Sequence, residues 1–369
     1  MRIAQVSPLF ESVPPRLYGG TERVVSWLTE ELVDLGHEVT LFASGDSVTS
    51  ACLVPTGRCG LRAAGARENL APHLLMFERL RALADEFDVI HFHTEYMHFP
   101  LARELEREFG VTCLSTLHGR LDLPEYRDLF NEYRDLALVS ISRSQRRALP
   151  DQNWIGTVHH GMREGLMKVS PAANHDYLLF VGRISPEKGV LEAIEIAERA
   201  KMLLKIAAKI ETYDLDYYRS IESLLRRSGV EYVGEVGEAE KAKLLGGAKA
   251  LLFPIAWPEP FGLVMIEALA CGAPVIAFAN GSVPEVIRDG KTGFIVNNVI
   301  EACEAIEKLP SISRRDCRRD FELRFSVERM ATDYLEIYET QLLKKQFRTR
   351  AISHARPLSR ILSTSTEVI

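Results

Sequence analysis

The stretch from Phe253 to Val296 constrains the fold of this chain more than any other. An apolar run from Ala250 to Phe253 ends in a proline-rich turn, a short apolar helix follows, and a second apolar run covers Pro274 to Phe278. Parallel α/β sheets use this strand–loop–helix–strand order to present a helix N-terminus at the carboxyl edge of the sheet. Glu259 precedes the predicted helix and Glu267 lies inside it. The spacing predicts that both carboxylates point into one crevice.

The chain opens with the same strand–loop–helix order. A strand from Arg2 to Val6 leads into a loop that ends in Gly19-Gly20, then a helix and a strand from His37 to Phe42. Backbone N–H groups at such a helix N-terminus can hold a phosphate. A Gly-Gly pair before a helix is more often a plain structural turn, so this motif alone favours the turn.

Further strands are predicted at Asp88 to Phe92, Val111 to Ser115 and Leu136 to Ile141, at intervals that suit a parallel sheet. Polar residues follow these strands, where open α/β sheets bind ligands. They include His91, His93 and Glu95 after one strand and His118 after the next; His98 follows a few residues on. The histidines suggest either a metal site or hydrogen-bonded side chains at a strand end, and the second interpretation is favoured because no cysteine or carboxylate cluster completes a ligand set.

A second strand–helix series begins at Tyr177, after a segment without clear periodicity from Met162 to His175 that we interpret as a linker. The loop from Gly182 to Gly189 carries Arg183 and Lys188 between a strand and a helix, where two cations could hold a diphosphate. Taken singly, these side chains and the two glutamates are equally compatible with ordinary solvated positions.

Composition limits the class of protein. The 369 residues predict two to three domains, and the net charge of −6 argues against a dedicated nucleic-acid binder. The six cysteines form no C-x-x-C pair, which indicates reduced thiols in a cytoplasmic protein. The first residues lack the apolar run of a signal peptide, and no stretch is long and apolar enough for a membrane span.

The end of the chain has two predicted parts. Residues 326–343 form a strongly amphipathic helix. Residues 344–369 carry six basic residues against one acidic residue, a local charge of +5. We interpret this segment as a solvated, poorly ordered tail in preference to an anchor on a membrane surface.

Three linked motifs resemble one family. They are G-R-x-x-x-E-K-G from Gly182, P-x-x-x-x-E-P-F-G-L-V-x-x-E-A-x-A-x-G-x-P-V-I-A from Pro254, and P-E-V-I-x-D-G-x-T-G-F from Pro284. In this order they look like the retaining, family 4 type of nucleotide-sugar glycosyltransferases (glycosyl transferases group 1) with the GT-B fold. The match covers the C-terminal half, and weaker likeness reaches the first half at Gly19 to Arg23 and at His118.

The resemblance implies an α/β protein of two Rossmann-like domains whose parallel sheets face a central cleft. Residues 1–162 would form the acceptor-binding domain and residues 163–325 the nucleotide-sugar-binding domain. The helix of residues 326–343 would cross back to the first domain.

The resemblance also implies roles for particular residues. Arg183 and Lys188 would bind the donor diphosphate and stabilise it as it leaves, Glu259 would hydrogen-bond the donor sugar, and Glu267 would hold the ribose. Phe261, Gly262 and Leu263 would offer backbone amides to the donor. From the opposite domain, Gly20 would lie against the phosphates and His118 near the transferred sugar.

One departure from the family pattern concerns the strand near Ala207. Many members have G-x-G there, whereas this chain has Ala208-Lys209-Ile210. The nucleotide base (UDP, GDP or ADP) is therefore open, and Lys209 is a further candidate phosphate contact.

The implied reaction is transfer of a sugar, most simply a hexose, from a nucleoside-diphosphate sugar to a hydroxyl of a glycan, lipid or small molecule. The family needs no divalent metal, and no D-x-D motif stands at a strand end. Two alternatives stay open: a nucleotide-sugar epimerase or hydrolase of the same fold, and a non-catalytic nucleotide-sugar-binding protein.

Overall fold

Two parallel sheets with helices between their strands make up the molecule. The computed structural model describes residues 1–169 and 175–354, with side chains up to residue 347. The expected α/β class, with two parallel sheets, is confirmed. The sequence-based domain limits stay predictions.

The first sheet has seven strands in the order β3-β2-β1-β4-β5-β6-β7, all parallel. Its strands are β1 (Arg2–Val6), β2 (Glu38–Ser44), β3 (Cys52–Thr56), β4 (Val89–Phe92), β5 (Thr112–Leu117), β6 (Leu138–Ser140) and β7 (Trp154–Thr157). Every residue of β4 and β5 is buried. This burial on both faces explains why these strands are continuous apolar runs in the sequence.

The second sheet has six parallel strands in the order β10-β9-β8-β11-β12-β13. Its strands are β8 (Tyr177–Arg183), β9 (Leu203–Lys209), β10 (Val230–Tyr232), β11 (Ala250–Phe253), β12 (Val275–Phe278) and β13 (Gly293–Val296). In both sheets the strand order reverses beside the first strand of the series. Ligands of open α/β sheets bind at such a reversal, outside the carboxyl ends of the strands.

The helices connect these strands and cover the sheets. In the first half they are α1 (Gly20–Asp34), α2 (Leu70–Ala82), α3 (Phe99–Glu108), α4 (Tyr126–Glu132) and α5 (Arg143–Arg146). In the second half they are α6 (Val190–Ala200), α7 (Leu215–Leu225), α8 (Glu238–Gly247), α9 (Leu263–Ala270), α10 (Val283–Val286), α11 (Val299–Lys308), α12 (Arg314–Arg324) and α13 (Val327–His354). No helix within the described residues is long and apolar enough to cross a membrane.

The chain passes between the two sheets twice, and the two passages are hydrogen-bonded to each other. Met162 donates its N–H to the carbonyl of Phe325 at 2.9 Å, and Val327 donates to the carbonyl of Met162 at 3.2 Å. The last helix, α13, then packs against α1 and β5 of the first half. Its buried Tyr334 and Tyr338 fix this contact through hydrogen bonds to Thr116 and His91.

Helix α13 extends past the limit that the sequence predicts for it. It continues to His354, and the poorly ordered state expected of residues 344–369 stays a prediction. The apolar pattern of the helix weakens at residue 343, which is where the sequence-based limit was set. A limit drawn from apolar periodicity misses a helix that continues with polar side chains. Residues 355–369, the remainder of the predicted tail, lie outside the described residues.

Candidate active site

A cavity of roughly 480 Å³ lies where the carboxyl edges of the two sheets face each other. Its lining includes nine of the ten residues that the sequence singled out. They are Gly20, His118, Lys188, Lys209, Glu259, Phe261, Gly262, Leu263 and Glu267. The volume falls within the range of small-molecule sites in proteins.

Lys188 and Glu259 form an ion pair in this cavity. The Lys188 Nζ lies 2.5 Å from Glu259 Oε2, and the two side chains are 15% and 12% exposed. Trp257 donates its indole N–H to the same carboxylate oxygen at 3.0 Å, and the ammonium group lies 5.1 Å from the Trp257 ring centre. A solvated-loop interpretation of Glu259 is therefore wrong, because a cation and an indole hold this carboxylate in a fixed position.

Glu267 belongs to a second ion pair, deeper in the fold. Its carboxylate lies 2.5 Å from the Nζ of Lys241, which extends from α8, and only 4% of its side chain is exposed. Helix α9 places Glu267 in its last turn, three residues before its buried C-terminal residue Ala270, on the side that faces α8. A helix-surface interpretation of Glu267 is therefore wrong as well.

Two helix N-termini meet at the cavity. Gly262 precedes α9 with φ 75°, and a side chain there would also crowd Met265 and Phe253, with a Cβ at 2.9 and 3.0 Å from their atoms. Glycine is needed at this position because its backbone is in the left-handed region. Gly20 begins α1, and a Cβ on it would lie 3.4 Å from the side chain of Leu263 at the start of α9. Unpaired N–H groups at helix N-termini favour an anion between them.

Lys209 lies at the end of β9 with its Nζ 3.1 Å from Glu211 and 5.5 Å from the ring centre of Tyr18. Tyr18 belongs to the loop before α1, and its N–H lies 3.3 Å from Glu235 of the second half. This loop therefore closes one side of the cavity against the second sheet.

Arg183 is the predicted site residue that the structure does not bring to the cavity lining. Its guanidinium group contacts the Tyr213 hydroxyl, the Glu187 carboxylate and Asp214, the last at 3.4 Å. These partners hold the side chain away from the residues that line the cavity. Its expected phosphate contact stays a prediction, and it requires this side chain to turn.

His118 lies on the wall opposite Lys188, and hydrogen bonds link it to the interior. His93 Nδ1 lies 2.9 Å from His118 Nε2, and His93 Nε2 lies 2.8 Å from the side-chain oxygen of Gln5. Burial lowers the pKa of His118 to about 3, so the ring is neutral at pH 7. The His118 ring stacks on His160 at 5.2 Å between ring centres.

The favoured interpretation of the other histidines, that they are hydrogen-bonded side chains, is confirmed. His91 contacts Tyr338 and Thr116 at 2.7 Å each. His98 contacts Thr94 at 2.9 Å and Ser115 at 2.6 Å. Within the part of the chain that the structure describes, no three His, Cys, Asp or Glu side chains are grouped so that they could hold a metal ion.

Three further residues of this site were assigned no role from the sequence. Lys241 is one of two lysines on α8, and only the fold shows that it meets Glu267. Trp257 could have been found from its place two residues before Glu259. Glu95 follows β4, and its carboxylate accepts hydrogen bonds from the backbone N–H groups of His118 and Gly119 at 3.0 and 2.9 Å.

All six cysteines are free thiols, namely Cys52, Cys59, Cys113, Cys271, Cys303 and Cys317. Burial raises the pKa of Cys271 and of Cys317 to about 12, which makes them unreactive. None of the six lines the cavity as described.

Two family models match overlapping parts of the chain. The model for Glycosyltransferase Family 4 matches residues 18–175, and the model for Glycosyl transferases group 1 matches residues 163–321. Among curated proteins, the alpha-maltose-1-phosphate synthase of Mycolicibacterium smegmatis is 26% identical over 353 residues. The match covers 83% of this chain and 87% of that protein.

Solved structures agree in fold over nearly the whole length. AviGT4, a glycosyltransferase involved in avilamycin A biosynthesis, is 25% identical with a TM-score of 0.69, and the match covers 93% of this chain and 98% of that one. Anabaena Alr3699/HepE in complex with UDP-glucose is 18% identical with a TM-score of 0.68, and the match covers 92% and 99%. These likenesses confirm the expected GT-B arrangement of two Rossmann-like sheets around a cleft.

Proposed function

Because the chain belongs to the family 4 type of the group 1 glycosyltransferases, we propose that it is a retaining, metal-independent enzyme of carbohydrate biosynthesis. It transfers a hexose from a nucleoside-diphosphate sugar to a hydroxyl acceptor, which is a glycan, a lipid or a small molecule. The observation that carries this proposal is the arrangement of two cation–carboxylate pairs beside a helix N-terminus in the interdomain cavity.

Each of the two ion pairs binds a different part of the donor. Glu267 accepts hydrogen bonds from the ribose hydroxyls, since a carboxylate can accept from both members of a vicinal diol. Glu259 accepts from hydroxyls of the donor sugar, and the N–H groups at the start of α9 face the phosphates. Lys188 and Lys209 supply positive charge to the diphosphate, and Gly20 lets the backbone of the first domain approach it closely.

Lys188 exchanges its partner when the donor binds. Without donor, its ammonium group is neutralised by Glu259 at 2.5 Å. A bound diphosphate offers a second anion, so the ammonium moves toward the phosphate and Glu259 is released to the sugar hydroxyls. The exchange keeps the charges paired in both states, which limits the cost of holding them in a cavity with little solvent.

The chemistry depends on charge separation. As the bond from the anomeric carbon to the phosphate oxygen breaks, positive charge grows on the sugar and negative charge on the diphosphate. Once the donor is bound and Lys188 has exchanged its partner, Lys188 and the two helix N-termini lie where this negative charge develops, so they stabilise the transition state without further rearrangement. We assign Arg183 to the same role after its side chain turns from Glu187 to the donor.

The donor class agrees with a relative whose structure was solved with UDP-glucose, Anabaena Alr3699/HepE. We place the reaction in the cytoplasm, which fits six unpaired cysteines. A weak contact of the basic C-terminal segment with a membrane surface stays a prediction, and much of that segment lies outside the described residues.

A thermal-shift panel tests the proposal first. Melting is recorded with UDP, GDP and ADP in the presence of EDTA, and binding to the native state raises the melting temperature by mass action. One diphosphate is expected to raise it more than the others. No shift with any of the three, with or without Mg²⁺, would contradict the proposed donor class.

Incubating the enzyme with the matching nucleotide sugar and no acceptor then separates the alternative reactions. We expect slow hydrolysis that a suitable acceptor outcompetes. Rapid isomerisation of the donor, or hydrolysis at a rate that no acceptor increases, would instead assign the chain to the epimerases or hydrolases of this fold.

A further inference from the structure

Glu95 has an unusual backbone for a residue with a side chain. It lies in the turn between β4 and α3 with φ 51°, in the left-handed region that favours glycine. Such a conformation is uncommon in other residues, and it is often found where function requires a side chain in one place. Glu95 also lines the cavity, although the donor contacts proposed above do not use it.

One oxygen of the Glu95 carboxylate is fixed and the other is available. Oε1 accepts hydrogen bonds from the N–H of His118 at 3.0 Å and from the N–H of Gly119 at 2.9 Å. Among the described residues, none donates a hydrogen bond to Oε2. A carboxylate held in this way presents its second oxygen as an acceptor in a set direction.

The loop that fixes Glu95 also reaches the groups proposed to hold the donor sugar. Arg120 places its guanidinium carbon 5.2 Å from the ring centre of Trp257, and Trp257 donates its N–H to Glu259. On the other side of the loop, His118 stacks on His160, and His160 contacts the ring of Phe261 at 4.8 Å. The loop of residues 118–120 thus connects Glu95 with the surroundings of the Lys188–Glu259 pair. Glu95 lies on the opposite wall of the cavity from that pair.

We propose that Glu95 is the acceptor-side catalytic residue, whose carboxylate binds the incoming hydroxyl and takes its proton. This inference rests on the proposed function and extends it to the acceptor. The acceptor O–H bond breaks and its proton goes to Glu95 Oε2, while the acceptor oxygen bonds to the anomeric carbon. The bond from that carbon to the phosphate breaks, and its electron pair leaves with the diphosphate.

The protonation behaviour of Glu95 fits this role. Burial raises the pKa of Glu95 to about 7, although the hydrogen bonds from the two N–H groups act to lower it. A general base works best when its pKa lies near the working pH. Other titratable or charged groups around this part of the cavity are His93, His118, Arg120, Tyr126, Lys188 and Glu259.

Two of these groups do not compete with Glu95 near neutral pH. Burial lowers the pKa of His118 to about 3 and that of His93 well below its usual value, so both rings stay neutral. Because Glu95 must be ionised to accept a proton, the rate is expected to fall as the pH falls through about 7.

The alternative is that the departing phosphate takes the acceptor proton. In that case Glu95 only positions the hydroxyl. In a glutamine the amide oxygen would keep the His118 and Gly119 N–H groups, and the amide NH2 would donate to the hydroxyl oxygen and position it nearly as well. The two mechanisms therefore predict different behaviour for the Glu95→Gln variant.

The experiment compares the wild type with Glu95→Gln and Glu95→Asp, and with Glu132→Gln, a surface carboxylate variant of the same domain, as control. Release of nucleoside diphosphate from UDP-glucose, GDP-mannose and ADP-glucose is measured from pH 5.5 to 9, with water alone and with glycerol as the acceptor. Donor affinity is measured by calorimetry on the same samples.

We expect Glu95→Gln to lower kcat by about 10²- to 10⁴-fold, the usual contribution of a general base, and to abolish the acidic limb of the pH profile. Donor affinity should change less than about threefold, and Glu95→Asp should recover part of the rate. A Glu95→Gln rate within about threefold of the wild type, or an acidic limb that persists in the variant, would overturn the inference. If the wild type releases no diphosphate from any donor, the proposed function is wrong, and this inference, which rests on it, is wrong as well.

Discussion

Replacing Glu267 with glutamine isolates its proposed contact with the ribose. The substitution keeps the shape of the side chain and removes its charge. It changes a group that is 4% exposed and 2.5 Å from the Lys241 ammonium. We expect weaker binding of the nucleoside diphosphate, because hydrogen bonds to the two ribose hydroxyls lose a charged acceptor.

The size of the effect follows from two opposing contributions. A hydrogen bond to a charged group contributes about 1.5 to 3 kcal/mol, and the amide oxygen of glutamine can still accept one weaker bond. The freed Lys241 ammonium acts in the other direction, since an unpaired cation near the diphosphate favours its binding. A net loss of about 1.4 to 2.8 kcal/mol corresponds to a 10- to 100-fold higher Kd.

Calorimetry with a ribonucleotide and its 2′,3′-dideoxy analogue provides the assay. The wild type should prefer the ribonucleotide strongly, whereas Glu267→Gln should show a much smaller preference for it. Glu240→Gln, which alters an exposed glutamate on α8, serves as the matched control and should behave as the wild type does.

The result that would refute this reasoning is an unchanged preference for the ribose hydroxyls in Glu267→Gln. An equal loss of affinity for both nucleotides would also count against it, because the damage would then lie in the packing of α9 against α8 rather than in a hydrogen bond to the ribose.

Two further predictions concern the framework of the site. Gly189→Ala should lower the free energy of unfolding by about 2 to 5 kcal/mol in chemical denaturation, since φ is 75° and the new Cβ would lie 1.9 Å from the carbonyl oxygen of Pro254. Gly165→Ala, where a Cβ meets nothing within 4 Å, should change it little, and equal stability of the two variants would contradict the argument. Glu285→Ala removes a carboxylate of the second half that accepts two N–H groups at the start of α5 in the first, at 2.7 and 2.8 Å. Small-angle scattering should then show a larger radius of gyration, whereas Glu285→Gln, whose amide oxygen can still accept one of the two N–H groups, should change it less; unchanged scattering from the alanine variant would count against an interdomain role.

Much of the fold follows from local sequence pattern. The strands β1 and β11 have the predicted limits, and α6 begins at Val190, directly after the loop predicted to end at Gly189. Each of these elements has a continuous or periodic apolar pattern and a glycine or proline near one end. Both features can be recognised within a few residues of sequence.

The strands β3, β7 and β13 were not predicted as strands. Two of them lie at the edges of the first sheet and one at the edge of the second, where burial is incomplete. The exposed residues of β3 include Cys52 and Pro55. An edge strand needs fewer apolar residues than a central one, so the apolar pattern that identifies β4 and β5 is weak there.

The candidate site was predictable where a motif is contiguous, and not where the fold brings distant residues together. Glu259 and Glu267 could be assigned to one crevice from their spacing along the chain. Their partners Lys188 and Lys241 come from other elements, and the sequence identified only the first of them, through its own loop motif. Glu95 depends on a turn whose backbone conformation a sequence does not specify.

The central claim is that a cation–carboxylate site transfers the sugar of a nucleotide donor without a metal, and the turnover of Lys188→Met in EDTA tests it most directly. The wild type should release diphosphate from its donor in EDTA. Lys188→Met should be about 10²- to 10³-fold slower, the usual effect of removing one preorganised group that stabilises developing negative charge. Lys243→Met, at an exposed position of α8, should keep the wild-type rate. Wild-type turnover that requires a divalent metal, or a Lys188→Met rate equal to that of the wild type, would contradict the account.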